Sequence, residues 1–366
     1  MNEDFLRRKL QERRDQNAYR QLRLPDGKTD FYSNDYLGIV ANRLLPAAGD
    51  AYAPGSTGSR LLAGNYALIE ETEQELAAFH GAEAALLFNS GYDANSGLLS
   101  CVPQRGDTIL YDSLSHASIR DGIRLSFAQS HAFPHNDVEQ LERKLQSIPA
   151  NNGGTVFVVT ESVFSMDGDL APLEAMAALC TQYGAALIVD EAHATGVVGE
   201  RGEGLVQHLG LEQACFARVH TFGKAVGCHG ALIAGSAQLR DYLINFCRPF
   251  IFSTALPETA VHAIRESYRL FPVMTAARQQ LNALIRQWQQ ARLPWETLPS
   301  DTPIQGVVLP GNEAVKQMAT RLQHNNLDVR PILYPTVPRG RERLRIILHA
   351  FNTDVQLQQL AAQLSA

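Results

Sequence analysis

The stretch Leu187-Ile188-Val189-Asp190-Glu191-Ala192-His193 constrains the fold more than any other part of the chain. Its apolar run stops abruptly at an acid, the pattern of a strand buried on both faces of a parallel sheet. Ligands of such sheets sit beyond the carboxyl ends of the strands, where Asp190 and His193 fall. A carboxylate there is costly to bury unless a cation meets it. Thirty-four residues on, His220-Thr221-Phe222-Gly223-Lys224 places a lysine in a small-residue loop after another expected strand. Asp190 facing a protonated pyridine nitrogen and Lys224 forming a Schiff base are the two groups that a pyridoxal phosphate (PLP) enzyme requires.

The flanking sequence repeats the same strand–helix grammar. Ala84 to Phe88 reads as a strand running through Asn89-Ser90-Gly91-Tyr92 into a helix, which is either a simple tight connection or an anion site at a helix start. Thr108 to Tyr111 is a short strand ending at Asp112, followed by Ser115-His116. Thr155 to Thr160 is a buried strand leading into Glu161, and Pro172 opens a helix that Gly184 closes. Ala231 to Ala234 is a further strand. Alternation of this kind predicts right-handed crossovers and an α/β fold with a mainly parallel sheet. The glycines at 196, 199, 202 and 204 cannot be written as G-x-G-x-x-G, so a dinucleotide site is not expected.

Outside that core the reading is more local. Residues 3 to 22 read as one amphipathic helix, Pro25-Asp26-Gly27 as a turn, and Phe31-Tyr32 as the start of a strand. Asn136 with Glu139 looks like a capping box, as does Thr353 with Gln356. A single long helix is expected over about 258 to 292, then strands near 304–309 and 343–348. A net charge of -6 argues against an extended nucleic-acid surface. The five cysteines stand singly, and Cys228 beside His229 is too little for a metal site, so none is expected. With no long apolar span and no signal region, a cytoplasmic protein without membrane contact is the expectation.

Three motifs carry a resemblance: Glu161 to Asp169 (ESVFSMDGD), Asp190 to Gly196 (DEAHATG) and Thr221 to Lys224 (TFGK). In this order, with Ser33 to Gly38 before them and Leu344-Arg345 after, the chain resembles the α-oxoamine synthase family of fold-type I PLP enzymes. The resemblance implies a large PLP-binding domain over residues 46–257, a smaller α+β domain over 258–366, and an N-terminal helix and arm over 1–45 that packs with the smaller one. It implies that Lys224 carries PLP and moves the α-proton, Asp190 pairs with the ring nitrogen, His193 donates to the phenolic oxygen, and His116 stacks on the ring. Ser165 would lie near the ring oxygen, and Gly91, Tyr92 and Thr221 would hold the phosphate. Ser253 or Thr254 would reach the phosphate of a neighbouring subunit, making the active unit a homodimer. Asn34 and Arg345 would orient the amino acid, with Arg20 and Thr336 also contacting substrate.

The reaction implied is decarboxylative condensation of an amino acid with an acyl thioester carried by coenzyme A or acyl carrier protein. The most similar branch takes L-alanine and a pimeloyl thioester. Sibling branches take glycine with a small acyl group or serine with a long one, and a catalytically silent scaffold subunit is the remote alternative. The chain departs from the family at Asn65 and Ile69, where threonine and histidine are common.

Overall fold

Leu187, Ile188 and Val189 are almost fully buried and form the strand Ala186–Asp190 in the middle of a seven-stranded sheet. The structure, a computed structural model, describes residues 3–22, 24, 26–149 and 153–366. The strand order is Ala84–Phe88, Ala231–Gly235, Cys215–Thr221, Ala186–Asp190, Val156–Glu161, Thr108–Asp112 and Gln129–Phe133. Ala231–Gly235 alone runs antiparallel to its neighbours, and the remaining pairings are parallel. Both faces carry helices, and Leu86, Phe88, Leu98, Ile109, Ile188 and Val219 belong to one continuous apolar core. The α/β class and the parallel sheet expected from the strand–helix alternation are what the chain adopts.

The chain divides into two compact units. One comprises Leu37–Phe164 with Leu170–Arg278 and contains the seven-stranded sheet. The other takes the described residues up to Tyr36, together with Ser165–Asp169 and Gln279–Ala366. Its four-stranded antiparallel sheet has the order Arg330–Ile332, Arg343–Ile347, Ile304–Val308, Glu296–Thr297. A two-stranded parallel pair, Thr29–Asp30 with Leu327–Asp328, stands beside it in the same unit. The Thr353/Gln356 capping box forms as read, opening the helix Asp354–Ser365.

Several local expectations are corrected. The first helix covers only Asp4–Asp15, because Asn17 turns to φ 51° and Ala18 N bonds back to Arg13 O. It buries no residue, and Phe5, Leu6 and Leu10 stay exposed. Of the expected turn, Pro25 lies outside the described residues, while Gly27 has φ 77°. The strand expected at Phe31-Tyr32 is instead Thr29–Asp30, since the Asp30 carboxylate accepts from Tyr32 N and Ser33 N and bends the chain there. Asp137, not Asn136, caps the helix Val138–Ser147 by accepting from Gln140 N at 2.9 Å. The long helix over 258–292 is two helices, Glu258–Leu270 and Thr275–Gln289, split at Phe271–Val273 where Pro272 cannot donate. The edge strand Gln129–Phe133 has no apolar pattern because only Phe133 is buried.

Two histidines, one of them on the strand Cys215–Thr221, are buried together. His80 and His220 stack with ring centroids 3.7 Å apart. His80 Nε2 pairs with the Tyr268 hydroxyl at 2.9 Å and His220 Nδ1 with Thr195 Oγ1 at 2.8 Å. Burial draws both imidazoles well below their ordinary 6.5, and the nearby Arg218 cation adds to it. Below 6.5 the unfolded chain therefore binds protons that the folded chain refuses, so stability is full above that pH and is lost as pH falls beneath it. Melting curves from about pH 7.5 to about pH 5.5 should show a falling midpoint, with a shallower slope in His80→Phe. The same slope in both proteins would contradict the assignment.

Candidate active site

Three neighbouring parallel strands end in acids, Asp112, Glu161 and Asp190, and the structure separates their tasks. Asp112 is spent on structure: it pairs with His135 Nδ1 at 3.0 Å and accepts from Leu114 N at 2.8 Å. Asp190 faces a cleft of about 210 Å³ formed entirely within the larger unit. Its Oδ2 accepts from Asn95 Nδ2 at 2.6 Å and its Oδ1 from Ala192 N at 2.9 Å. Glu161, in register with Asp190 on the adjacent strand, accepts from the backbone N–H of His116 at 2.6 Å. Burial, reinforced by the Asp190 charge, pushes the Glu161 carboxyl well above its usual range.

Alternation along the chain sends Glu191 the other way. Its carboxylate takes Leu205 N at 2.9 Å, Val206 N at 2.6 Å and the Ser162 hydroxyl at 3.1 Å, pinning the glycine-rich loop that follows. In that loop Gly196 has φ 86°, and a Cβ there would stand 2.6 Å from the Ala225 Cβ. Close packing against the lysine loop, not nucleotide binding, accounts for this glycine.

The cleft's far wall is the helix Gly91–Cys101. Ser90 caps it, its hydroxyl oxygen accepting from Asp93 N at 3.0 Å, so the first-turn N–H groups at Gly91 and Tyr92 open the cleft with positive polarity. Tyr92 is held by a hydrogen bond from its hydroxyl to Asp121. Thr221 ends the strand Cys215–Thr221, and Lys224 Nζ donates to its hydroxyl at 3.1 Å. Gly91 is required by this approach, since an added Cβ would strike Thr221 Cγ2. His116 caps the helix Ala117–Leu125, and His193 lies buried at the cleft wall after Asp190. An anion-binding helix start, a lysine and a buried carboxylate together fit the three distinct ends of PLP: phosphate, aldehyde and ring nitrogen.

The structure thus gathers Gly91, Tyr92, His116, Asp190, His193, Thr221 and Lys224 around one cleft. Sequence reasoning missed Asn95, Ser118 and Glu161 there. The signal for Asn95 was its place one helical turn beyond Gly91, and for Ser118 its place just after His116. Ser253 and Thr254 are not in this cleft but in a smaller one with Arg60 and Phe250. Asn65, one of the departures from the family, accepts from Arg60 Nε at 2.7 Å, and Arg60 pairs with buried Glu73 at 2.7 Å. The other departure, Ile69, is buried in core packing.

A second cluster belongs to the smaller unit. Arg345, on the strand Arg343–Ile347, donates from Nη2 to Asn34 Oδ1 at 3.0 Å and from Nε to Ser165 O at 2.6 Å. Tyr36 donates to the same Asn34 oxygen at 3.2 Å, and burial pushes its hydroxyl up to about 12. Arg20 Nη2 donates to Thr336 Oγ1 at 3.1 Å. The structure thus brings Asn34 to Arg345 and Arg20 to Thr336.

Gly91→Ala should lower PLP affinity by about tenfold or more, because the methyl overlaps Thr221 Cγ2 and one side must move. Thr221→Ser keeps the hydroxyl but removes that methyl, so the double variant should regain most of the loss. Equilibrium dialysis against PLP reads both, and equal affinity in Gly91→Ala and the parent would contradict this geometry.

The sequence profile of the family described as aminotransferase class I and II matches residues 26–364. An 8-amino-7-oxononanoate synthase of Emericella nidulans is 42% identical over 381 residues, which cover 96% of this chain and 92% of the relative. Among solved structures, the serine palmitoyltransferase of Sphingomonas wittichii is 32% identical with TM-score 0.86, over 92% of this chain and 86% of the other. The 8-amino-7-oxononanoate synthase of Francisella tularensis is 30% identical with TM-score 0.79, over 93% of this chain and 98% of the other. Likeness that runs nearly end to end in sequence and backbone means that the chain belongs to the class I and II aminotransferase family, in its α-oxoamine synthase branch of PLP-dependent transferases.

Proposed function

We propose that this protein is an 8-amino-7-oxononanoate synthase acting in biotin formation: it joins L-alanine to a pimeloyl thioester and releases carbon dioxide and the thiol. The observation that carries this reading is one cleft lined by Lys224, the Gly91 helix start and the Asp190–Asn95 pair. Identity of 42% with a synthase of that name supports the substrate pair.

When bound, PLP supplies an electron sink conjugated to the amino acid's α-carbon. The residues do the rest. Asp190 would accept the hydrogen bond of the ring N–H and stabilise its positive charge, with Asn95 and Ala192 N keeping the carboxylate aimed. Gly91, Tyr92 and the Thr221 hydroxyl would hold the phosphate, His193 would donate to the phenolic oxygen with Ser165 near it, and His116 would lie against the ring face. Lys224 carries the cofactor at rest, then takes the proton from the alanine α-carbon and returns one after carbon dioxide leaves. Asn34 and Arg345 receive the amino-acid carboxylate, the guanidinium by its two-pronged face. Arg20 and Thr336 would contact the substrates.

The active unit is a homodimer, and the cell compartment is the cytoplasm. Ser253 and Thr254 support the dimer, because within their own chain they line the Arg60 cleft and leave the Lys224 cleft without them. Sedimentation should read a dimer, and a fully active monomer would contradict it. Fractionation should recover the protein with cytosolic markers; recovery in a membrane pellet would contradict the compartment.

A sibling serine palmitoyltransferase has the higher backbone likeness, 0.86 against 0.79, which reports a shared chain path and not the substrate. Profiling of purified protein with amino acids and acyl thioesters decides between them. Alanine with a pimeloyl thioester should give the highest kcat/KM, and alanine should exceed glycine by roughly 10- to 200-fold, the range for one methyl group in an apolar pocket. Preference for serine with a long acyl thioester, or glycine with acetyl-CoA, would move the protein to a sibling function.

A further inference from the structure

The His116 ring opens onto the cleft, but its Nδ1 edge is enclosed by the start of its own helix. That nitrogen meets two groups of Ser118, the backbone N–H at 3.2 Å and the hydroxyl at 2.8 Å. A backbone N–H can only donate, so Nδ1 is the lone-pair nitrogen and the ring proton belongs on Nε2. The hydroxyl proton is directed by the next link. Asn95 Nδ2 stands 2.6 Å from Asp190 Oδ2, and a carboxylate can only accept, which fixes that edge of the amide as the donor. The same Nδ2 reaches Ser118 Oγ at 3.1 Å with its second hydrogen. Ser118 Oγ therefore accepts from Asn95 and gives its one proton to His116 Nδ1. Only one assignment of donors satisfies the chain Asp190–Asn95–Ser118–His116, with the Asn95 amide donating to both Asp190 and Ser118 and Ser118 donating to His116, and the first three members are buried.

We propose that Asn95 and Ser118 are positioning residues for the reaction, holding His116 in its neutral Nε2–H form and tying its plane to the Asp190 carboxylate. The inference rests on the reading that PLP occupies this cleft with His116 against its ring. A cationic imidazolium there would oppose the proton on the ring nitrogen, whereas a neutral imidazole leaves that proton to Asp190. The charged and titratable groups facing His116 are Asp190, Lys224, Asp121 on its own helix, and Glu161, which takes its backbone N–H. Enclosure lowers the imidazole pKa, the Lys224 cation acts the same way, and Asp190 and Asp121 oppose them.

Protein labelled with ¹⁵N at histidine, free of PLP and loaded with it, tests this. The His116 signals are assigned by their loss in His116→Gln. They should show protonation at Nε2 alone from about pH 6 to about pH 8. Ser118→Thr, which retains a hydroxyl, should preserve that state. Ser118→Ala removes one donor to the lone pair and should raise the protonation midpoint by about one unit, with about tenfold weaker PLP retention. Asn95→Ala should raise the midpoint in the same direction, because the Ser118 hydroxyl is then free to turn. A proton on Nδ1 in the parent, an imidazolium at neutral pH, or an unchanged midpoint in Ser118→Ala would overturn the proposal. Because the tautomer is read without PLP as well, failure of the protein to bind PLP contradicts the proposed function separately.

Discussion

The hydrogen bond from Asn95 to Asp190 is the contact on which the rest of the cleft depends. A buried carboxylate at the end of a central strand is tolerable only when donors surround it. Asn95 supplies one such donor and Ala192 N another, leaving the remaining lone pairs for a cationic ring nitrogen. The same contact links a strand to a helix whose first turn is an anion site. One short bond thus fixes the distance between the groups that would receive opposite ends of the cofactor.

The motif Asp190 to Gly196 shows how a short run of sequence is divided among tasks by the alternation of the chain. Asp190 turns to the cleft, while Glu191 turns away to hold the Leu205 helix start and the Ser162 hydroxyl. Thr195 reaches His220, one residue before Thr221, so the far side of the motif braces the strand that carries the lysine loop. Gly196 lets the loop approach Ala225 immediately after Lys224. The Asp190 and Glu191 carboxylates and the Thr195 hydroxyl each meet donors or acceptors on their own side of the strand, which helps to hold the site rigid.

Much of this was legible in the sequence where the signal was local. The apolar run into Asp190, the glycine-containing turn at Gly91 and the Thr221–Lys224 loop each imply their place at a strand end, and the structure gathers them. Asn95 and Ser118 had only weak local signals, their places near Gly91 and His116, because the contact that gives Asn95 its meaning is to Asp190, far along the chain. Glu161 was visible as an acid after a strand, yet nothing local distinguished it from Asp112, which is bound to His135. The edge strand at Gln129 lacked a periodic signal because a one-sided edge buries only Phe133. The helix over residues 3 to 22 was over-extended because its apolar spacing continues past Asn17, where the backbone leaves the helical region.

The central claim is that Lys224 is the residue joined to PLP in this cleft. Protein incubated with PLP, reduced with borohydride and digested to peptides gives the direct measurement. The account predicts one pyridoxyl phosphate per chain, on the peptide that contains Lys224. Label on another lysine, or none after full saturation with PLP, would contradict it.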